Sequence, residues 1–243
     1  MICFSTPFDA SSVDFLERLN VPCYKIASFE NTDIPLLEKV AATGKPIIMS
    51  TGLASVSELE ESVHTLRESG CSDLVLLKCT STYPATPENS NLATIPHMRE
   101  LFNCQVGLSD HTAGVGAAVA SVVFGATVVE KHFTLSRSDG GVDADFSLEP
   151  SELKSLVVES ERAWQAVGEI KYGSSHEEEG SKKFRRSVYF SQNVKKGDVL
   201  SEDNIRIIRP GYSLSPKYYK AILGRKVKQD VRKGQRIDWS ILE

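Results

Sequence analysis

The sequence lacks the features that mark membrane, secreted and nucleic-acid-binding proteins. No apolar run reaches the roughly 18 residues that a membrane-spanning helix needs. No basic segment followed by an apolar core opens the chain, as it would in a signal peptide. Neither sign of charge predominates, because 28 Lys and Arg stand against 32 Asp and Glu, for a net charge of −4. This balance argues against nucleic acid or an anionic membrane as the main partner.

Cysteine is scarce and shows no pairing pattern. The five cysteines form no C-x-x-C motif, their number is odd, and four of them lie in or beside apolar strand-like runs. Disulfide frameworks and zinc sites are recognised by regularly spaced pairs, so we expect reduced core thiols in a cytoplasmic protein. A glycine-rich phosphate loop is also missing, so a bound phosphate would have to be held by side-chain donors.

The chain does contain a series of short, continuous apolar runs, each followed by a helical pattern. The centres of these runs fall near residues 3, 24, 48, 76, 107 and 130, a spacing typical of repeated βα units in a parallel sheet. The runs do not alternate with polar residues, as expected for strands buried on both faces. Six strands suit either a doubly wound sheet or a (β/α)8 barrel that lacks its first two strands.

The pattern changes in the last quarter of the chain. A charged stretch, residues 169–184, predicts a linker after a first domain of residues 1–168. From residue 185 onward short β segments and turns predominate, and the phrase Val-Lys-Lys-Gly at residues 194–197 recurs as Val-Arg-Lys-Gly at residues 231–234. We expect residues 185–243 to form a small, internally repetitive β domain, near the lower size limit for independent folding.

Polar side chains follow each apolar run at the point where the predicted strand ends. These endings are Thr6, Lys25 with Ser28 and Glu30, Ser50, Ser81 with Tyr83, Ser109 with His111, and Glu130 with His132. In both candidate folds the carboxyl ends of parallel strands form the ligand site. A ring of hydroxyls with a lysine is typical of a phosphate held by side chains. Each hydroxyl alone is more often a helix N-cap, but six strand ends in series favour a shared site.

Two histidines occupy equivalent positions in consecutive units, within residues 107–133. His111 and His132 each follow an apolar strand pattern, and a small-residue helix pattern lies between them. Two imidazoles at neighbouring strand ends can hold a divalent metal with positions left open for substrate. Two unrelated polar residues would give the same spacing. The next loop, residues 137–150, is either a flexible acidic turn or a substrate loop in which Asp143 or Asp145 reaches a polar ligand.

Six runs in a fixed order carry a resemblance to a known family. They are Phe4-Ser5-Thr6-Pro7-Phe8, Tyr24-Lys25-Ile26-Ala27-Ser28, Lys45-Pro46-Ile47-Ile48-Met49-Ser50-Thr51-Gly52, Cys79-Thr80-Ser81-Thr82-Tyr83-Pro84, Gly107-Leu108-Ser109-Asp110-His111-Thr112 and Glu130-Lys131-His132-Phe133. The chain resembles the sialic acid synthases, which condense phosphoenolpyruvate with an N-acylated amino sugar. Its last 59 residues are similar to the family's antifreeze-like (SAF) domain. The resemblance implies an α/β fold: a (β/α)8 TIM barrel, truncated to its last six βα units, followed by a small β-rich SAF domain.

The resemblance also implies roles for individual residues. Positions that hold phosphoenolpyruvate in the family are matched by Thr6, Lys25, Ser28, Ser50, Ser81 and Ser109. Ligands of a divalent metal, usually manganese with magnesium or cobalt as alternatives, are matched by His111 and His132. Positions near the sugar are matched by Glu30, Tyr83 and Asp143, of which Asp143 is also a candidate general base. An SAF-domain arginine that reaches the partner subunit's active site in a domain-swapped homodimer is matched by Arg209.

The reaction implied by the resemblance is metal-assisted C–C bond formation. Carbon 3 of phosphoenolpyruvate attacks the sugar aldehyde, water adds to carbon 2, and phosphate leaves, which yields a nine-carbon sugar acid. The loop at residues 140–150 is similar to that of the pseudaminic acid synthases, which use a doubly acetamido, trideoxy sugar. We therefore expect a pseudaminic acid synthase, with an N-acetylneuraminate or legionaminate synthase as alternatives. In the family, two further strands precede the segment that matches Phe4, and they carry a sugar-binding glutamate and a second lysine. This sequence does not contain them, so the alternative from another class is a non-catalytic fragment that acts only as a binding module.

Overall fold

The computed structural model describes residues 1–243 and contains two compact units, Met1–Glu169 and Ile170–Glu243. In the first unit, strands and helices alternate along the chain. The strands are β1 (Tyr24–Ile26), β2 (Ile47–Ser50), β3 (Leu74–Cys79), β4 (Gln105–Asp110) and β5 (Val128–Lys131). The helices are α1 (Ala10–Arg18), α2 (Ile34–Ala41), α3 (Val56–Glu68), α4 (Thr94–Phe102), α5 (Gly116–Val123) and α6 (Pro150–Val167).

The five strands form one curled parallel sheet in the order β1-β2-β3-β4-β5. Helices connect consecutive strands, as parallel pairing requires. The register places Lys25 opposite Ile48 and Ser109 opposite Glu130. Because all strands run the same way, their carboxyl ends meet at one edge of the sheet.

The sequence predicts a sixth strand near residue 3, and the structure corrects this prediction. Only Ser5 pairs with β1, through a single parallel bridge to Tyr24, and the Lys25 amide donates to the Ser5 carbonyl oxygen at 3.3 Å. Ile2 is 77% exposed and Phe4 is 40% exposed. These apolar side chains bury too little surface in this chain to offset the entropy of ordering a longer ladder.

Local signals set the helix boundaries. The Ser55 hydroxyl accepts from the Glu58 amide while the Glu58 carboxylate accepts from the Ser55 amide, so a capping box begins α3. Helix α6 begins at Pro150, as expected for a residue that has no amide hydrogen to leave unpaired. Helix α4 ends at Phe102, and its C-cap residue Asn103 has a left-handed φ of 45°.

The main core lies between the outer face of the sheet and helices α1–α4. It contains alternate residues of each strand, such as Ile26, Met49 and Leu76, and helix residues such as Leu37 and Leu66, all 0% exposed. Burying one such side chain stabilises the fold by about 1.5–3 kcal/mol. Successive strand residues point to opposite faces, so the residues between these core positions face the inside of the curl. That inner face carries the candidate site.

The second unit contains the antiparallel strands β6 (Ser187–Phe190) and β7 (Ile205–Ile208) and the short helix α7 (Tyr219–Ile222). The two copies of the internal repeat pair with each other. The Val194 amide donates to the Val231 carbonyl oxygen at 3.0 Å, and the reciprocal bond is 2.9 Å long. Both valines belong to a separate hydrophobic core. The two copies of the repeat are therefore segments that pair with each other and pack into the same core.

Three further observations bear on the sequence-based expectations. Residues 169–184 are almost entirely exposed and include the 3-10 helix Glu179–Phe184. No helix is both long enough and apolar enough to cross a membrane. All five cysteines are free, but Cys3 is exposed rather than part of the core.

Candidate active site

A buried lysine links polar side chains from four strands. The Lys25 Nζ donates to the Ser50 Oγ at 2.7 Å and to the Ile26 carbonyl oxygen at 2.9 Å. It also lies 3.7 Å from Glu130 Oε2. The Ser109 Oγ donates to the other oxygen of the Glu130 carboxylate at 2.7 Å. Lys25, Ser50, Ser109 and Glu130 therefore form one network on the inner face of the sheet.

The electrostatics of this network favour an anionic ligand. Lys25 is only 7% exposed, and burial lowers the pKa of its ammonium group, an effect that the Glu130 carboxylate opposes. The Glu130 side chain is 40% exposed, so it can leave the lysine without losing contact with solvent. A buried cation that has hydroxyl groups beside it is suited to a phosphate or a carboxylate.

The hydroxyl groups of Ser28 and Ser81 lie close together because the residue beside both of them, Gly52, has no side chain. The Gly52 amide donates to the Ser28 Oγ at 3.1 Å. A Cβ built on Gly52 would lie 2.2 Å from the Ser81 Oγ and 2.7 Å from the Ser28 Oγ, closer than real Cβ atoms approach. The glycine thus lets the ends of β1, β2 and β3 present their donors in one small space.

The two histidines expected from the sequence are neighbours. Their ring centroids are 5.2 Å apart, and the Tyr83 ring lies 4.3 Å from His111 and 6.0 Å from His132. The His111 Nδ1 lies 3.0 Å from the Thr80 carbonyl oxygen. A carbonyl can only accept, so Nδ1 must carry the hydrogen, which leaves Nε2 free to bind a ligand.

The carboxylate of Asp143 lies beside the second histidine. Its Oδ2 is 3.6 Å from the His132 Nδ1, whereas Asp145 is exposed. Of the two aspartates that the loop offers, the structure brings Asp143 into the cluster. Burial and the neighbouring His111 lower the pKa of His132, which favours the neutral imidazole that metals bind.

The residues present fit a divalent metal held by few protein ligands. No set of three His, Cys, Asp or Glu side chains is arranged to hold an ion, so the chain would supply two imidazoles, from His111 and His132. Such a partial donor set leaves several positions for substrate oxygens and water, as catalytic metal sites require. The fit to a divalent metal rests on the chemistry of the two imidazole donors and on the free Nε2 of His111.

Sequence reasoning missed Cys79, which it placed among the core thiols. The Cys79 Sγ lies 3.8 Å from the Ser81 Oγ and 4.0 Å from the His111 Nδ1. Burial would raise the pKa of this thiol, but hydrogen bonds from His111 and Ser28 outweigh it and lower the pKa to about 7. The signal available in the sequence was its position, two residues before Ser81 at the end of an apolar run.

Three expected site residues lie outside these contacts. Thr6 is half-buried and makes no side-chain hydrogen bond. Glu30 is half-buried with an Oε2 atom that is shielded from solvent and has no hydrogen-bond partner, and burial raises the pKa of its carboxyl group. Arg209 is exposed, directly after β7 in the second unit.

Comparison with known proteins assigns this chain to a family. Residues 1–172 match the NeuB family, and residues 185–243 match the SAF domain. The chain belongs to the NeuB family. Its first unit carries the lysine, hydroxyl and histidine cluster, and the SAF match covers the antiparallel strands of the second unit.

Individual relatives of this NeuB-family chain are similar along most of its length. A pseudaminic acid synthase from Campylobacter jejuni is 41% identical over 98% of this chain and 69% of that protein. An N,N'-diacetyllegionaminic acid synthase from the same organism is 38% identical over 96% of this chain and 71% of that protein. The crystal structure of the spore coat polysaccharide biosynthesis protein SpsE from Bacillus subtilis is 32% identical, with a TM-score of 0.67 over all of this chain and 74% of that one.

These matches confirm two expectations from the sequence. The fold is α/β, with parallel βα units of the TIM-barrel type followed by an SAF domain. The resemblance to the nonulosonic acid synthases, the family of sialic-acid-like synthases, is confirmed as family membership. The roles of the individual site residues stay predictions.

Proposed function

We propose that this protein is a transferase that condenses phosphoenolpyruvate with an N-acetylated amino sugar, acting as a pseudaminic acid synthase. The observation that carries the proposal is the 41% identity to the Campylobacter jejuni pseudaminic acid synthase over 98% of this chain. The inner face of the sheet supports it, because the buried Lys25 with its serine and glutamate partners lies near two histidines. One part of the site suits an anion and the other suits a metal-assisted carbonyl reaction.

In this proposal the carboxylate and phosphate of phosphoenolpyruvate bind along the strand ends. Lys25 supplies the positive charge, and its bond to the Ser50 Oγ orients it toward the inside of the sheet. Further donors come from Thr6, Ser28, Ser81 and Ser109. Their task is positioning and electrostatic stabilisation, which lower a reaction barrier without forming a covalent intermediate.

His111 and His132 would hold a divalent metal, with manganese as our first choice and magnesium or cobalt as alternatives. When bound, such a metal supplies Lewis-acid polarisation of a carbonyl group. The Thr80 carbonyl oxygen keeps the hydrogen of His111 on Nδ1, and the Asp143 carboxylate lies 3.6 Å from the His132 Nδ1. Tyr83 covers both imidazoles.

The sugar would lie above the histidines, between the loop that follows β5 and the loop that follows β1. Asp143 is our candidate general base, since its carboxylate is 42% exposed and already directed at the cluster. The unpartnered Oε2 of Glu30 is available to a sugar hydroxyl, and burial raises the pKa of this carboxyl group. Both assignments predict loss of sugar affinity when the side chain is shortened.

The proposed assembly is a domain-swapped homodimer in which Arg209 enters the partner's active site. Charge supports an association of this kind. Residues 185–243 carry 14 Lys and Arg against 6 Asp and Glu, whereas residues 1–184 carry 14 against 26. Opposite charges of this size attract a basic domain of one copy to the acidic unit of another, most strongly at low ionic strength.

The function is tested by phosphate release from phosphoenolpyruvate with three acceptor sugars. We expect the doubly acetamido, trideoxy sugar of pseudaminic acid synthases to give the highest kcat/KM. Higher kcat/KM with a legionaminate-type sugar would assign the legionaminate alternative, which the 38% identity to a legionaminic acid synthase supports. Higher kcat/KM with N-acetylmannosamine would assign the N-acetylneuraminate alternative. No release with any sugar, from folded protein supplied with manganese, would overturn the catalytic proposal.

Calorimetry separates a binding module from an enzyme. We expect the chain to bind both Mn²⁺ and phosphoenolpyruvate, and His111→Ala to lose only the metal. A folded sample that binds neither ligand would contradict both site assignments and would favour the binding-module alternative.

Complementation tests the dimer. A chain with Arg209→Ala is mixed with a chain carrying His132→Ala, each inactive alone. We expect the mixture to regain part of the wild-type rate, because a mixed dimer contains one site with both groups intact. Inactive mixtures that nevertheless contain mixed dimers would contradict the role of Arg209.

A further inference from the structure

A buried ion pair lies directly beside the two histidines, on the opposite face of the sheet. The Lys131 Nζ is 2.8 Å from the Asp110 Oδ2, and the two side chains are 3% and 2% exposed. In every other ion pair of the chain at least one side chain is 35% exposed or more. Asp110 and Lys131 are also register partners on β4 and β5.

The pair holds the backbone that follows the first histidine. The Asp110 Oδ1 accepts from the Thr112 amide at 2.9 Å, and the Lys131 Nζ donates to the Thr112 carbonyl oxygen. Thr112 is 1% exposed, so water cannot take over either bond. Both polar backbone atoms of the residue after His111 are therefore held by this one ion pair.

The same pair constrains the second histidine through the chain. Lys131 immediately precedes His132, and its side chain is bonded to Asp110 and Thr112, which flank His111. Successive strand residues point to opposite faces, so anchoring Asp110 and Lys131 on the helix side directs both imidazoles into the site. The two rings, 5.2 Å apart between centroids, each belong to the residue that directly follows a member of this ion pair.

Stability alone does not account for a charged pair here. Two well-packed apolar side chains in place of a buried ion pair are often neutral or stabilising, because the charges must be desolvated. Apolar side chains could not satisfy the Thr112 amide and carbonyl. The geometry points to Asp110 and Lys131 as positioning residues that hold His111 and His132 at the separation a shared metal ion needs. This inference rests on the proposed metal site.

The test compares metal affinity, anion affinity and thermal stability in the full chain. Free Mn²⁺ is measured by electron paramagnetic resonance, phosphoenolpyruvate binding by calorimetry, and Tm by circular dichroism. The main variant is Asp110→Leu combined with Lys131→Met, which replaces the ion pair by apolar groups of similar size. Asp110→Asn is a second variant that keeps the shape and removes one charge, which leaves the Lys131 ammonium buried without a counter-charge.

The control is Leu66→Ala. It leaves a cavity where α3 packs on the hydrophobic core, which destabilises the fold without touching either histidine. We expect the double variant to bind Mn²⁺ about 10- to 100-fold more weakly, the usual effect of losing an outer-shell partner of a metal ligand. Its affinity for phosphoenolpyruvate should fall by a clearly smaller factor, because the bonds of the ion pair hold the backbone of Thr112 and not the Lys25 network. Leu66→Ala should lower Tm and leave Mn²⁺ affinity unchanged.

Several outcomes would overturn the inference. If the double variant, or a folded Asp110→Asn variant, binds Mn²⁺ as tightly as wild type, the ion pair serves stability only. If Mn²⁺ and phosphoenolpyruvate affinities fall by the same factor, or if Leu66→Ala weakens Mn²⁺ to the same degree, the effect is a general loss of structure. If wild type itself does not bind Mn²⁺, the proposed metal site fails and the inference with it.

Discussion

Lys25 and Glu130 lie 3.7 Å apart, from Nζ to Oε2, although they belong to the two outer strands of the sheet, β1 and β5. Neighbouring strands are about 4.8 Å apart, so a flat five-stranded sheet would separate the outer two by about 19 Å. The curl of the sheet and the length of the two side chains together account for the difference. The ion pair thus marks the inside of the curl and occupies the place where an anionic ligand would bind.

Removing the lysine should weaken anion binding. In Lys25→Met the charge and its hydrogen bonds are lost, and hydrogen bonds to charged groups contribute about 1.5–3 kcal/mol, or about 10- to 100-fold in the Kd for phosphoenolpyruvate. Calorimetry measures this Kd, and steady-state kinetics should show a larger rise in the KM for phosphoenolpyruvate than in that for the sugar. Equal increases in both KM values would contradict the assigned role of Lys25.

Removing the carboxylate should have the opposite effect on the same binding step. Glu130→Gln keeps a hydrogen-bond partner for Ser109 and takes away the negative charge that competes with the ligand for Lys25. Because the Glu130 side chain is 40% exposed, the gain is that of a screened pair, about two- to fivefold tighter binding of phosphoenolpyruvate. Weaker binding would show that Glu130 helps to hold the ligand rather than competing with it.

A methyl group at Gly52 should push the anion-binding hydroxyls apart. The Cβ of Gly52→Ala would lie 2.2 Å from the Ser81 Oγ, and such overpacking costs about 1–3 kcal/mol of stability. We expect a lower Tm together with weaker phosphoenolpyruvate binding. The control is Gly116→Ala, at the start of α5, where a Cβ meets nothing within 4 Å. Unchanged ligand affinity in Gly52→Ala would show that Ser28 and Ser81 do not take part in anion binding.

The low pKa of Cys79 predicts a thiolate in the metal-free protein at neutral pH. The thiol titrates at about 7 in the folded chain against 9.0 for an ordinary cysteine. Since the pKa is lower in the folded state, ionisation of this thiol stabilises the fold. This contribution is fully present above about pH 9 and is lost as the pH falls through about 7. Absorbance at 240 nm should rise with a midpoint near pH 7 in wild type and lack this step in Cys79→Ser. A midpoint near 9 would contradict the contact with His111.

The sequence indicated the order of the elements well. Continuous apolar runs with regular spacing predicted five of the strands, and the repeated phrase at residues 194–197 and 231–234 marked two segments that pair in the structure. These signals are local, because they depend on hydrophobic periodicity and on short runs of residues. The run near residue 3 was misread as a strand since apolar character alone does not show whether a segment finds surface to bury.

By itself the sequence determined which polar groups stand at the strand ends, because parallel strands place their carboxyl ends at one edge whatever the details of packing. Only the tertiary structure decided which of these groups touch. The curl brings Lys25 to Glu130, and the pleat of the strands buries Asp110 against Lys131 behind the histidines. The cysteine beside His111 acquires its low pKa only in that packed environment. Contacts between residues far apart in sequence depend on sheet curvature and side-chain direction, which no local pattern of residues contains.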